Sequence, residues 1–379
     1  MYKRLQTLGG LGKESCFLWG PRQTGKSTLM KQLFPSAPYY DLLLSEEFLR
    51  LSRNPALLRQ ELLAKQTKGP VIVDEVQKIP ALLDEIQWLM VNHSIQFILC
   101  GSSARKLKRG GGNLLGGRAL RFELHPFVSQ EIFDFDLLRA LNHGMIPRHY
   151  LSETPERLIE SYLGDYLKEE IAAEALTRNL PAFNRFLEVA AFSNGEIVNY
   201  HNVAAECGIS SPTAREYFQI LEETLIGRFI PAYRKRPKRR VILSPRFYYF
   251  DVGIVNLLLK RGHIAQGSEM VGRAFEHFIF QEIIAHRHYS GVAYSIAYWR
   301  TASGLEVDFI LGDHEIALEV KTTEQVAPHH LRGVHAFLEE YHPKRTIVVS
   351  FDSHPRLIGS ITVLPWRDFL TQLWEGKLF

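Results

Sequence analysis

A mixed α/β fold class, opening on a parallel sheet, is what this sequence predicts, and three observations carry it. Short apolar runs recur through the first 130 or so residues, each followed by a helical pattern. The runs then stop, and helical periodicity continues to about residue 193. A second set of apolar runs, preceded by one long helical pattern, fills the last third of the chain.

The run at 15–19 (SCFLW) is continuous rather than alternating, so it reads as a strand buried on both faces. Runs at 39–44 (YYDLLL), 71–75 (VIVDE), 96–100 (QFILC) and 119–124 (ALRFEL) read the same way. Helical patterns at 26–34, 55–66 and 81–92 separate them, which makes the pairing parallel. Residues 105–118 (RKLKRGGGNLLGGR) are glycine-rich and basic, and predict a mobile loop. A helix at 181–193 precedes VNYHNVAAECGISSPTAREYFQILEETLI, which reads as helix, glycine turn, helix, with Ser210 or Ser211 as the second N-cap. The final block has a helix at 270–287, strands at 292–300, 305–311, 315–321 and 345–350, and a helix at 329–341. With 379 residues the chain exceeds one ordinary core, and these shifts divide it at 1–127, 128–180, 181–244 and 245–379.

Composition narrows the classes. The chain is 46% apolar and 23% charged, as in an ordinary globular protein, and its net charge of +4 makes any basic behaviour local. The three cysteines have no metal-ligand spacing, which fits a reducing compartment, and the cytoplasm is expected. No leader pattern and no run long enough to cross a bilayer is visible, so no membrane partner is expected.

Gly20, Pro21, Arg22, Gln23, Thr24, Gly25, Lys26 and Ser27, followed by Thr28, fit G-x-x-x-x-G-K-[ST] between a strand and a helix. The glycines let backbone N–H groups turn in on phosphates, Lys26 adds charge at the β- and γ-phosphates, and the Ser27 hydroxyl suits Mg²⁺. Asp74 ends the strand VIVD, where a carboxylate holds the same Mg²⁺, and Glu75 follows where it can polarise an attacking water. Ser102 or Ser103 ends the next strand within reach of the γ-phosphate. Arg118 precedes the fifth strand, where in a ring of subunits it reaches a neighbour's γ-phosphate; Arg121 and Arg105 are alternatives. ATP and Mg²⁺ are therefore the expected cofactors.

These stretches, with FILCGSSARKLKRGGGNLLGGRALRFELHPF, RFYYFDVGIVNLLL and YWRTASGLEVDFIL…ALEVKTT, resemble the AAA+ superfamily. Within it they are similar to a widespread bacterial and archaeal group joining an AAA-type ATPase domain to a winged helix and a C-terminal domain of the PD-(D/E)xK nuclease type. The resemblance implies an ATPase core at 1–127, a helical lid at 128–180, a winged-helix DNA-binding unit at 181–244 and a nuclease-like unit at 245–379. It also implies a homo-oligomer, a hexameric ring.

Asp308 and, with ten residues between, Glu319 followed by Lys321 suit a strand hairpin, with Glu276 on the preceding helix as a third carboxylate. Two carboxylates and a lysine suit a divalent metal that activates water, and the set resembles the D…(D/E)-x-K arrangement, with Val307 where a proline is common. A working nuclease, a DNA-binding nuclease-like domain and a structural ion pair all remain open. Six of the seven residues from 234 to 240 are basic: Arg234, Lys235, Arg236, Lys238, Arg239 and Arg240. After a helix-turn-helix whose second helix opens on Ser211, Thr213 and Arg215, that run predicts a wing along a phosphate backbone. The expected function is an ATP-hydrolysing motor on duplex or branched DNA. An ATP-gated, metal-dependent endonuclease and a nucleotide-dependent signalling switch with a protein partner are the alternatives.

Overall fold

Continuous apolar runs need cover on both faces, and the first third of the chain supplies it. The computed structural model describes every residue except 1, 103, 104, 106, 108–114, 172–178 and 236–238. Strands β1 (Ser15–Trp19), β2 (Tyr39–Asp41), β3 (Val71–Asp74), β4 (Phe97–Gly101) and β5 (Ala119–Glu123) pair in the order β2-β3-β4-β1-β5, every pair parallel. On one face Phe17, Val73 and Leu99 pack with Leu58 and Leu62 of α3 (Ala56–Ala64) and Ile86 and Leu89 of α4 (Leu82–His93). On the other, Cys16, Leu18 and Ile98 pack with Leu29 and Met30 of α1 (Lys26–Leu33). An additional helix, α2 (Ser45–Arg53), buries Leu51 and packs Phe48 against the same core. All five strands end on one edge of the sheet, where ligands of open α/β sheets bind.

The helices α5 (Leu137–His143), α6 (Pro147–Tyr150) and α7 (Pro155–Ser161) follow, then a π-helical stretch, Tyr162–Ile171. Next come α8 (Leu180–Phe192), β6 (Glu196–Ile197), α9 (Tyr200–Cys207), α10 (Ser211–Glu223), β7 (Gly227–Ile230) and β8 (Arg246–Tyr249). The strands form an antiparallel sheet, β6-β8-β7. Gly208, at φ +65°, ends α9, and Ser210 rather than Ser211 caps α10, its Oγ accepting from Thr213 N at 3.2 Å. A boundary at residue 245 would cut this sheet. β8 belongs with β6 and β7, and α11 (Val252–Leu258) shares a core with Phe186, Phe218 and Phe247. Strand pairing across some 50 residues of sequence is a tertiary choice that local composition does not record.

The last unit contains α12 (Glu269–Tyr289), β9 (Ile296–Arg300), β10 (Glu306–Leu311), β11 (Ile316–Val320), α13 (Arg332–Leu338), β12 (Arg345–Ser350), β13 (Arg356–Ile358), β14 (Ile361–Pro365) and α14 (Trp366–Trp374). Its sheet runs β13-β14-β12-β11-β10-β9, antiparallel from β9 to β11 and parallel through β11, β12 and β14. The β9–β10 register shifts between Val307 and Ile310, the stretch that contains Asp308. Among the described residues no helix is long and apolar enough to cross a membrane.

The described part of the basic run lies beside the C-terminal sheet. Residues flanking it line the edge strand β9: Tyr233 N donates to Tyr298 O at 2.6 Å, Ile242 N to Arg300 O at 2.9 Å and Ala302 N to Arg240 O at 2.9 Å. Lys235 pairs with Asp313, and Arg239 with Glu339 and, at 2.7 Å, Glu340. Arg234 and Arg240 remain exposed, while Arg236 and Lys238 lie outside the described residues. An uncovered edge strand presents unpaired backbone groups, and covering it brought Lys235 and Arg239 onto acids more than 70 residues away in sequence.

Candidate functional site

The turn after β1 is shaped by crowding. Leu124 N donates to Trp19 O at 2.8 Å, and a Cβ on Gly20 would meet Leu124 O at 2.4 Å. Gly25, at φ +94°, turns the chain into α1. Lys26 is buried, and its Nζ donates to Gly20 O at 2.7 Å and Pro21 O at 3.0 Å; burial lowers its pKa, with the Glu75 charge opposing. Thr24 Oγ1 donates to Pro21 O at 2.9 Å, while Gln23 and Thr28 are exposed. The Arg22 guanidinium lies 5.5 Å from the Tyr166 ring centre, and its carbonyl accepts from Tyr162 at 3.3 Å, so the π-helical stretch touches the loop.

Asp74 stands beside Ser27 as the spacing requires. The Ser27 hydroxyl and the Tyr39 hydroxyl each donate to Asp74 Oδ2 at 2.5 Å, and Glu75 N donates to Oδ1 at 3.0 Å. Burial and Asp74 push the Tyr39 hydroxyl pKa up. Glu75 sits at φ +58°, a left-handed conformation costing a non-glycine residue about 1–3 kcal/mol. Its carboxylate and the Ser102 hydroxyl share one donor, Gln77 Nε2, which reaches Ser102 at 3.2 Å. Gly101 is small for this reason: a Cβ there would come within 2.3 Å of Gln77 Oε1. The Ser27–Asp74 pair fits a Mg²⁺ ion by its oxygen chemistry, and the glycine loop fits phosphate. Ser103 lies outside the described residues.

Tyr39, Gln77 and Arg4 escaped sequence reasoning. Arg4 donates to Thr24 O at 2.6 Å, to His125 O at 2.7 Å and to Glu131 at 2.9 Å, strapping the N-terminal segment across the loop. Gln77 carried the one available signal, two residues after Glu75 in the same strand-end motif.

The candidate arginines separate. Arg105 is buried and paired with Glu223 of α10. Arg118 and Arg121 are exposed. Ala119 is in register with Ser15 and Glu123 with Trp19, so Arg118 lies at the opposite sheet edge from the loop, about 17 Å along a five-residue strand.

Three units meet at the end of β5. Glu123 pairs with Arg228 of β7, and His125 Nε2 lies 2.7 Å from His288 Nδ1 of α12. Glu123, His125 and His288 bring one ligand atom each within 4.8 Å, but Arg228 already serves the carboxylate. Burial lowers the pKa of His149, His277, His286 and His288 to about 4. Their folded values lie below the unfolded 6.5, so the unfolded chain binds more protons between them. The histidine contribution to stability is therefore present above about pH 6.5 and lost as the pH falls toward about 4. The raised carboxyls of Asp251, Glu276 and Glu282 act in the opposite direction, so the histidine share is read as a difference between variants. His149→Phe is expected to gain urea resistance relative to wild type as the pH falls from about 6.5 to about 4, because both His149 ring nitrogens are buried without a hydrogen-bond partner. Urea midpoints of wild type and variant that shift in parallel across that window would contradict this.

In the last unit, Lys321 pairs with Glu319, and Asp308 Oδ2 accepts from Val320 N at 2.8 Å. Glu276 Oε1 accepts from Tyr248 at 2.5 Å. Burial, then Asp308, raises the Glu276 pKa to about 8 and raises that of Glu319 as well. Asp308, Glu319, Lys321 and Glu276 thus share one neighbourhood. At the start of α10, Ser211 and Thr213 are half-buried, and Arg215 is exposed with its guanidinium 4.9 Å from the Tyr200 ring centre.

Comparison with known proteins agrees with the first unit. Residues 12–133 match the AAA domain family, in line with the five-stranded parallel sheet and the glycine loop found there. Residues 134–263 and 271–369 match two domains of unknown function, DUF8612 and DUF4143. Uncharacterized proteins of Mycobacterium tuberculosis and Mycobacterium bovis are each 23% identical over 367 residues, covering 93% of this chain and 80% of theirs. Among solved structures, a Walker-type ATPase of Pyrococcus abyssi aligns with a TM-score of 0.43 at 14% identity, over 64% of this chain and 90% of that one. The Aeropyrum pernix ORC1 protein, solved in complex with DNA, aligns with a TM-score of 0.25 at 11% identity, over 68% and 89%.

Proposed function

We propose that the chain is a Mg²⁺-dependent ATPase that uses hydrolysis to move along or remodel DNA, branched DNA included. The observation that carries the nucleotide half is the 2.5 Å contact of Ser27 with Asp74, beside a buried Glu75 held in a strained turn. In this reading Lys26 and the loop amides hold the phosphates, Ser27 and Asp74 hold Mg²⁺, and Glu75 orients the water while Ser102 senses the γ-phosphate. The bound ion supplies charge neutralisation across the β- and γ-phosphate oxygens.

The DNA half is supported by the order helix, strand, helix, helix, strand, strand from α8 to β8, which is that of a winged helix. The strand and helix order of the last unit, with its Asp308–Glu319–Lys321 neighbourhood, supports a nuclease-like fold in the same way. Arg215, Arg234 and Arg240 are exposed for phosphate contact. A homo-oligomeric ring is supported by Arg118, which lies too far from its own loop to serve it.

The test is ATPase rate against single-stranded, duplex, forked and four-way DNA. DNA is expected to raise the rate, and Arg215→Ala with Arg234→Ala and Arg240→Ala is expected to remove the rise. The mutant's salt dependence is expected to flatten by about 0.9 log–log units per lost phosphate contact on duplex DNA. A second reading, a nucleotide-dependent switch binding a protein, is favoured by the pairing of Lys235 and Arg239 within the chain. Slow turnover unchanged by any DNA would select it.

A further inference from the structure

The neighbourhood of Glu276, Asp308 and Glu319 contains a cation that its motif does not: Arg246, on β8 of the middle unit. It is 2% exposed. Its Nη2 donates to Glu306 at 2.8 Å, and its Nη1 lies 3.7 Å from Glu276 Oε1 and 3.8 Å from Asp308 Oδ1. The guanidinium also sits 4.7 Å from the Tyr298 ring centre. Lys321 takes Glu319, and Arg300 lies 3.3 Å from Glu306.

A Mg²⁺ ion needs oxygens at about 2.0–2.1 Å in near-octahedral array. Among the described residues, the acidic and histidine groups whose ligand atoms converge within 4.8 Å are Glu123, His125 and His288, not these carboxylates. Arg246 Nη1 approaches both Glu276 and Asp308 without hydrogen-bonding either, so a positive charge already stands on the side a metal would need. Placing a divalent ion beside a buried guanidinium is costly, because repulsion is strong where water is excluded. The charges also nearly balance without a metal: four carboxylates face Arg246, Arg300 and Lys321, with Tyr248 donating to Glu276.

We infer that Arg246 is the resident cation of the Glu276–Asp308–Glu319 cluster and excludes a divalent ion from it, making the site an arginine-filled lock between β8 and the C-terminal sheet. The lock closes the site for as long as β8 stays docked. Its neighbour β7, paired with β8 through Ile230 and Arg246, carries Arg228 onto Glu123 at the end of β5. The small sheet is therefore stapled by arginines to the units on both sides of it. This inference stands apart from ATP hydrolysis and is tested at the C-terminal site alone.

The measurement is Mn²⁺ binding to the nucleotide-free full chain, followed by electron paramagnetic resonance and compared with Asp308→Asn, so that only Asp308-dependent binding counts. Wild type and Asp308→Asn are expected to bind alike. Arg246→Met is expected to gain one Asp308-dependent site, tighter than any in wild type by about ten-fold or more. Arg246→Gln keeps a hydrogen-bonding side chain beside Glu306 while removing the charge, so it serves if Arg246→Met does not fold, and the same gain is expected. An Asp308-dependent Mn²⁺ site in wild type overturns the inference. So does a folded Arg246→Met, or a folded Arg246→Gln, that gains none.

Discussion

Glu75→Gln is expected to bind ATP with near wild-type affinity and to hydrolyse it about 10²–10⁴ times more slowly, the range for loss of a positioned acid–base group. The amide keeps the size and a hydrogen-bonding oxygen, so the turn at φ +58° and the contact with Gln77 survive. What disappears is the negative charge that polarises water. Lys26→Ala is the complementary variant: it removes charge at the phosphates and is expected to weaken nucleotide binding itself. Equilibrium binding of a fluorescent ATP analogue, set against single-turnover hydrolysis, separates the two. Wild-type turnover by Glu75→Gln would move the water-positioning role to another residue, with Ser102 and Gln77 the nearest by hydrogen bonding.

Arg118→Ala is expected to lower turnover by about 10³–10⁵, the range of an arginine finger, without loss of folding or nucleotide binding. The side chain is exposed and lies about a strand's length from the loop of its own chain, roughly 17 Å. In the proposed ring its effect passes between subunits. Mixing Arg118→Ala with Glu75→Gln subunits tests this, since some interfaces then combine an intact Glu75 with an intact Arg118. Recovered activity supports the shared site. No recovery, together with a monomeric mass in solution, refutes the ring. Arg105 cannot substitute without first releasing Glu223.

The geometry of the candidate nucleotide site was largely legible because its chemistry is local. A loop of eight residues between a strand and a helix must bring Lys26 and Ser27 to one place, and a carboxylate ending a buried strand must emerge on the same sheet edge. What joined the site from elsewhere was not legible. Tyr39 reaches Asp74 because β2 and β3 pair, and Arg4 reaches Thr24 because the N-terminal segment crosses the end of β5. No spacing rule connects residues brought together only by strand order.

The same division runs through the rest of the chain. Continuous apolar runs and helical periodicity determined the parallel first sheet, the helix–turn–helix around Gly208 and most strands of the last unit, since burial on both faces or one stripe is written directly into residue order. Tertiary structure decided the partners. It assigned β8 to the middle sheet, laid Lys235 and Arg239 against Asp313, Glu339 and Glu340, and set Arg246 among the carboxylates for which sequence left a metal, DNA contact and an ion pair open. A buried charge takes the opposite charge that packing brings nearest, and packing depends on the whole topology rather than on neighbours in the chain.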